Sequence, residues 1–200
     1  AIWNDCAPDA LDHYERWYCR QHLAERVGVP GFRFGRRYEA LRADRRFFTF
    51  YEVDDPSILS SPPYLERLND PTEWTREAMA SFRGMMRTVC DVAYSAGDLH
   101  GAFAVTVRFA QASAASGPMR DLAERLSAED GIARVQIWAA SAHQTPGGTR
   151  EMSTRAEPDE TVPAAIVVEC LRRADAERVA EQFSRGFGTG LDAAGRPDIG

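Results

Sequence analysis

Three side chains that can hold or move a proton, Tyr14, Tyr18 and His22, lie four residues apart in a segment with helical periodicity. Residues at this spacing share one face of an α-helix, so the three side chains should point to the same side. An imidazole has an ordinary pKa of about 6.5, which suits a general base or acid near neutral pH. The pattern predicts either a proton-transfer site at His22 or a structural histidine hydrogen-bonded to backbone.

Other tyrosines could complete such a site. The hydroxyls of Tyr18, Tyr38 and Tyr51 could orient an oxygenated aromatic substrate. The alternative is that these rings belong to the core and expose only one polar edge. At least one of them is expected to line a pocket.

Glu52 stands among aromatic residues on a predicted strand, and Arg37 lies on the neighbouring strand of the same hairpin. A carboxylate in apolar surroundings must be paired or protonated, because its burial without a partner is costly. Glu52 is therefore either a catalytic acid or base, or half of a cross-strand ion pair with Arg36 or Arg37. Glu169 occupies the corresponding place in the second half of the chain, which favours the ion pair.

The first half of the chain predicts the elements that would position these groups. Residues 8–26 form a helix, because Pro8 suits a first turn and Gly28 a stop. The remaining predicted elements are strands at 31–42 and 47–53, helices at 64–68 and 73–82, and a strand at 85–93. Since the chain begins inside the first strand pattern, that strand is expected to be truncated and residues upstream to be missing.

A linker at 95–101 precedes a second half with the same order of elements. Its predicted elements are strands at 103–109, 132–142 and 164–171, helices at 118–126 and 175–185, and a polar, mobile insertion at 144–162. The order corresponds to two ferredoxin-like βαββαβ repeats, residues 1–96 and 97–200. We expect an α+β protein in which the two repeats close one α/β barrel, with antiparallel sheets inside and helices outside.

Composition excludes several kinds of function. All 24 basic residues are arginine, so chemistry that needs a lysine amine is excluded. A net charge of -6 and a pI near 5.3 argue against nucleic acid as a partner. No segment is apolar enough for a membrane span, and no secretory signal is present, so a cytoplasmic protein with reduced thiols is expected.

Metal and cofactor sites find little support in the sequence. Cys19 and His22 are three residues apart, but no second close pair completes a metal site, and nothing selects one of the four histidines as a haem ligand. The glycines at 186–190 follow a predicted helix, which indicates a helix stop and not a phosphate-binding loop. Neither a metal nor a cofactor is expected.

Several short motifs in the first 95 residues occur in a familiar order. They are Trp3-Asn4-Asp5, Trp17-Tyr18 with His22, Val29-Pro30-Gly31-Phe32, Arg36-Arg37-Tyr38, and Phe50-Tyr51-Glu52 followed by residues 59–64. This arrangement resembles the dimeric α/β barrel superfamily, most nearly its EthD-like members. The commonest family version has Glu directly before the histidine, whereas this chain has Gln21.

The resemblance implies a small cleft between helices and sheet. The superfamily includes cofactor-independent monooxygenases, cyclases and isomerases, so we expect an enzyme of this kind acting on a small apolar or aromatic molecule. His22 would move the proton, with Tyr18 and Arg37 assisting it. The predicted substrate-binding residues are Tyr14, Tyr38, Tyr51 and Glu52.

Two alternatives stay open. The barrel could hold a hydrophobic ligand without converting it, as a binding or stress-associated protein. Edge strands in this fold commonly pair between chains, so a homodimer is also compatible with the sequence.

Overall fold

The computed structural model describes residues 1–112, 117–155, 157–186 and 198–199. They form an α+β structure with one four-stranded and one five-stranded antiparallel sheet, which confirms the expected α+β class and antiparallel strands. Of the predicted glycine-rich stop, residues 187–190 lie outside the described part of the chain. None of the described helices combines the length and apolar character that crossing a membrane requires.

The chain divides into two compact units. The first comprises Ala1–Arg37, Phe47–Val89 and Ala142–Glu160, and the second comprises Tyr38–Arg46, Cys90–Ser141 and Thr161–Gly200. These units are not continuous stretches of chain: the first includes the segment from 142 to 160, which follows strands of the second, and the second includes Tyr38–Arg46.

The first sheet has the strand order β2-β3-β1-β4. Its strands are β1 (Ile2–Cys6), β2 (Phe32–Glu39), β3 (Phe47–Val53) and β4 (Phe82–Arg87). The helical segments are a 3₁₀ turn (Pro8–Ala10), α1 (Leu11–Trp17), a π-helical turn (Tyr18–His22), α2 (Leu23–Val27), a 3₁₀ turn (Pro56–Ser60), α3 (Pro62–Asn69) and α4 (Glu73–Ala80).

One predicted strand is two strands in the structure. The segment predicted at 85–93 ends one sheet with β4 and begins the other with β5 (Cys90–Ala96). Between them, the backbone N–H of Thr88 donates to the carbonyl of Ala1, and the N–H of Val89 donates to the side chain of Gln144. An apolar pattern cannot reveal such a break, because both strands continue the same alternation.

The second sheet has the strand order β5-β7-β8-β6-β9. Its further elements are β6 (Phe103–Phe109), α5 (Pro118–Ser127), β7 (Ile132–Ala140), α6 (Arg150–Ser153), β8 (Ala164–Cys170), α7 (Arg173–Gly186) and β9 (Asp198–Ile199). Every residue of β8 is buried, as expected of a strand covered on both faces. Gly31 and Gly131 precede β2 and β7 with φ of 91° and 82°, a conformation that favours glycine.

The insertion between β7 and β8 is attached to β4, although its polar composition predicts mobility. Glu160 exchanges backbone hydrogen bonds with Met85 and Arg87, each of 2.8 Å. Glu157 accepts from the backbone N–H of Gly84 at 3.0 Å, and Thr145 accepts from the Arg87 guanidinium at 2.6 Å. The polar residues of the insertion therefore serve as hydrogen-bonding partners of the first unit.

Candidate functional site

A π-helical turn distinguishes the first long helical segment of the chain. The backbone N–H of Leu23 donates to the carbonyl of Tyr18, five residues earlier, instead of to the residue four positions before it. Such turns rotate the side chains that follow and are common at functional sites. His22 is the last residue of the turn and Arg26 lies one helical turn beyond it; both are buried, with 5% and 4% of their surfaces exposed. The sequence predicts a regular helix here and does not reveal the turn.

His22 lies in an aromatic cage. Its ring centroid is 4.2 Å from that of Trp17 and 5.0 Å from that of Tyr18. Its Nδ1 atom is buried and has no hydrogen-bond partner among the described residues. The side chain of Gln21 donates to Glu25 and Thr72.

Burial lowers the pKa of His22 well below 6.5, and the positive charges of Arg26 and Arg155 lower it further. The imidazole is therefore neutral at neutral pH, and both physical causes oppose its protonation. A buried polar atom left without a partner lowers the free energy of unfolding by about 1–3 kcal/mol, so the unpartnered Nδ1 atom destabilises the folded protein.

The tyrosines near His22 are neutral hydrogen-bonding groups. The hydroxyls of Tyr18 and Tyr51 are 3.1 Å apart, and burial raises the pKa of each phenol. The hydroxyl of Tyr14 accepts from the side-chain amide of Asn4 at 3.1 Å, and burial raises its pKa as well. The structure thus places Tyr14, Tyr18 and Tyr51 together in the first unit, as neutral phenols.

Arg37 is engaged differently from what the sequence predicts. Its guanidinium donates to both carboxylate oxygens of Glu15, at 2.6 and 3.0 Å, and stacks on the ring of Phe47 at 4.0 Å. Glu52 is partly exposed and has a guanidinium nitrogen of Arg33 at 4.0 Å. Of the two arginines expected to pair with Glu52, Arg37 is therefore corrected, because its Nη1 and Nη2 both donate to the carboxylate of Glu15 on α1.

Tyr38 belongs to the second unit and to another network. Its hydroxyl donates to Glu169 at 2.8 Å, and Arg134 donates to the other oxygen of that carboxylate at 2.7 Å. His100 lies 3.5 Å from Glu169. The structure thus groups Tyr38 with Glu169 in the second unit.

Two charged residues near His22 come from the insertion, and sequence reasoning missed both. Glu151 forms a buried ion pair with Arg26, and Arg155 forms a partly buried ion pair with Asp159. Arg26 and Glu151 are 125 positions apart, and no local pattern joins them. The one available signal is Thr149, whose side chain caps α6 and marks a structured turn within the polar segment.

Both arginines keep an unused donor. In the described part of the molecule, Nη1 of Arg26 and Nε of Arg155 are buried and have no acceptor. The side chains are 5% and 6% exposed. Arg155 lies four residues after Glu151, the partner of Arg26, and both guanidiniums act electrostatically on His22. Each of these three side chains, His22, Arg26 and Arg155, has one buried polar atom without a partner among the residues that the structure describes. We call His22, Arg26 and Arg155 the His22 cluster.

The cluster offers acid–base chemistry and hydrogen bonding. Within the described ranges, no group of three or more His, Cys, Asp and Glu side chains is arranged to hold a metal ion. The four cysteines are free thiols, and burial raises the pKa of Cys170 to about 12. No family model matches this chain, and no curated protein sequence matches it.

Proposed function

We propose that the chain consists of two tandem ferredoxin-like repeats, and that these close an α/β barrel of the EthD-like kind. The strand orders support the repeats. In βαββαβ order, both β2-β3-β1-β4 and β7-β8-β6-β9 read as second, third, first and fourth strand. The extra strand β5 extends the second sheet beside β7. The positive φ of Gly31 and Gly131, each before the second strand of its repeat, is a further correspondence.

We infer that the protein is a cofactor-independent enzyme in which His22 accepts a proton from a small apolar or aromatic substrate. The observation that carries this proposal is the buried imidazole with an unpartnered Nδ1 inside an aromatic cage. A ligand atom bearing a proton would supply the missing partner. Monooxygenase, cyclase and isomerase reactions of this type share a first step that removes a proton from an activated C–H or O–H group.

The electrostatics restrict which proton can be removed. In this step the proton moves from the substrate to the imidazole, and the electron pair stays on the substrate as an enolate or phenolate. An imidazolium beside Arg26 and Arg155 is unfavourable by itself. The negative charge that develops on the substrate offsets this cost, so the cluster favours a proton whose removal creates an oxyanion nearby.

The paired hydroxyls of Tyr18 and Tyr51 have a supporting role in this proposal. Both stay protonated, so one of them can donate to a substrate oxygen while it accepts from the other. Arg37, held by Glu15, stacks 4.7 Å from the ring of Tyr18 and positions that phenol. Tyr14 completes the wall of the cage from the same helix, 5.6 Å from Tyr18.

The test begins with native mass spectrometry of the full chain purified without added ligand, followed by identification of any small molecule released on denaturation. The molecule found is then assayed for turnover with the wild type and with the variants H22Q and H13Q. His13 is the matched control, since it lies on the same helical segment with its side chain 41% exposed.

We expect H22Q to lower turnover by at least about 100-fold, the usual contribution of general acid–base catalysis, and H13Q to have little effect. A bound molecule that neither the wild type nor H22Q converts would identify a ligand-holding barrel and overturn the enzyme. Equal turnover by H22Q and wild type would remove His22 from the mechanism. The same spectra distinguish a monomer from a homodimer.

A further inference from the structure

We propose that the His22 cluster recognises an anionic group on its ligand, a carboxylate or an equivalent planar oxyanion carried on an aromatic body, through Arg26 and Arg155. This inference rests on the proposed function of the same site and specifies its substrate class. It assigns roles to two arginines that neither the motifs nor the predicted site residues include.

The two guanidiniums are paired but not saturated with hydrogen-bond acceptors. Each is buried and neutralised by one carboxylate, Arg26 by Glu151 and Arg155 by Asp159. Each nevertheless retains a buried N–H without an acceptor in the described structure. Guanidinium nitrogens only donate, so the missing partner must be a hydrogen-bond acceptor.

The surroundings of the two guanidiniums favour an anionic acceptor. Arg26 follows His22 by four residues on the same helical segment and pairs with Glu151. Arg155 follows Glu151 by four residues, in the turn that ends α6, so the two guanidiniums lie in one region, and both act electrostatically on the imidazole. A cationic ligand would be repelled there. An anion gains charge-assisted hydrogen bonds that are about twice as strong as those of a neutral carbonyl, and planar oxyanions match the guanidinium geometry.

Aromatic side chains surround the His22 cluster and indicate the remainder of the ligand. The surfaces around the cluster are aromatic: Trp17 and Tyr18 contact the His22 ring, and Tyr64 lies 5.8 Å from the Arg26 guanidinium. Phe32 stacks on Tyr64 with ring centroids 5.6 Å apart. These surfaces suit an aromatic or other apolar body attached to the anion.

The insertion thereby becomes a specificity element. Arg155 and the counterion of Arg26, Glu151, both come from the segment between β7 and β8. A different insertion on the same two units would leave Arg26 without its counterion and would remove one donor. Charge selection is thus encoded in a segment whose composition gives no sign of a binding role.

The test compares two probes of nearly equal shape, benzoate and benzamide, by titration calorimetry on the full chain at neutral pH. The variants are R155M, the double variant R155M/D159N, and R150M. The double variant leaves no unpaired carboxylate if R155M alone folds poorly. R150M is the matched control, because Arg150 is an exposed arginine of the same insertion.

We expect the wild type and R150M to prefer benzoate by at least about tenfold, as charge-assisted bonds predict. The preference should fall below about threefold in R155M and R155M/D159N. Equal affinities for the two probes, including undetectable binding of both, would overturn the inference, as would a preference that both Arg155 variants retain. A benzoate preference accompanied by unchanged turnover in H22Q would keep the anion site and remove the proton-transfer role.

Discussion

Replacing Glu151 by Gln should destabilise the first unit strongly, because this residue neutralises a buried guanidinium. Arg26 and Glu151 are 4% and 3% exposed, so water cannot replace the lost charge. Gln keeps the shape and one hydrogen-bonding oxygen but leaves Arg26 charged and uncompensated. Removing one partner of a buried ion pair costs about 3–5 kcal/mol. The retained hydrogen bond points to the lower end, about 3 kcal/mol, and to a drop in melting temperature of about 6–12 °C for a chain of this size.

Thermal unfolding followed by tryptophan fluorescence measures this loss of stability in the first compact unit of the chain. Three of the four tryptophans, Trp3, Trp17 and Trp74, belong to the first unit, and the variant W138F removes the signal of the second. The matched control is D54N, which makes the same acid-to-amide change in an exposed pair of the first unit. Exposed pairs contribute little, so D54N should leave the transition unchanged.

A double variant distinguishes loss of the charge balance from general damage. In R26M/E151L both charges are replaced by apolar groups, and the melting temperature should recover most of what E151Q loses. If E151Q shifts the transition no more than D54N does, the reasoning about the buried pair is refuted.

Three further predictions follow from the same contacts. The neutral burial of His22 contributes stability above its unfolded pKa of about 6.5, and this contribution is lost as the pH falls through 6.5 towards its lower folded pKa. The free energy of unfolding of H22Q, measured in urea, should therefore depend less on pH between roughly 5 and 7 than that of the wild type. An equal pH dependence of the two proteins would contradict this. The thiol of Cys170 has a pKa of about 12 and should react with a disulfide reagent at pH 8 only after unfolding, whereas the exposed Cys19 should react at once. Rapid labelling of Cys170 itself, identified by peptide mass spectrometry, would count against this. A Cβ at Gly35 would lie 2.8 Å from the ring of Tyr51. The substitution G35A should therefore lower the free energy of unfolding by about 1–3 kcal/mol through overpacking, and it should weaken ligand binding. Unchanged binding would show that Tyr51 can move without consequence for the ligand.

Hydrophobic periodicity was sufficient to predict most of the fold. The strands β3 and β6 and the segment from Pro8 to Val27 lie where alternation and helical spacing put them, because these patterns directly reflect which face is buried. The join of β4 and β5 was not predictable, since an apolar strand looks the same whichever sheet it enters. The strand orders came only from the structure, because register and pairing depend on contacts remote in sequence.

The candidate site was predictable only in part. The spacing of Tyr14, Tyr18 and His22 put three members on one helix face, and the structure buries all three. Sequence could not show that Arg26 and Arg155 share their surroundings, because a polar insertion looks the same whether it is solvated or bonded to a strand. Of the two expected partners of Glu52, Arg36 and Arg37, the second was wrong, because Glu15 on α1 accepts hydrogen bonds from Nη1 and Nη2 of Arg37. Strand periodicity does not show that a helix carboxylate competes for this guanidinium.

The central claim is that His22 is a neutral buried imidazole with a nitrogen available to a ligand. Nitrogen-15 NMR of the full chain, labelled at histidine and assigned with H22Q and H13Q, measures this directly. We expect the His22 resonances to stay those of a neutral ring from pH 8 down to well below pH 6.5, and benzoate to shift them and raise the pKa. A His22 ring that titrates near 6.5 and does not respond to benzoate would contradict the account.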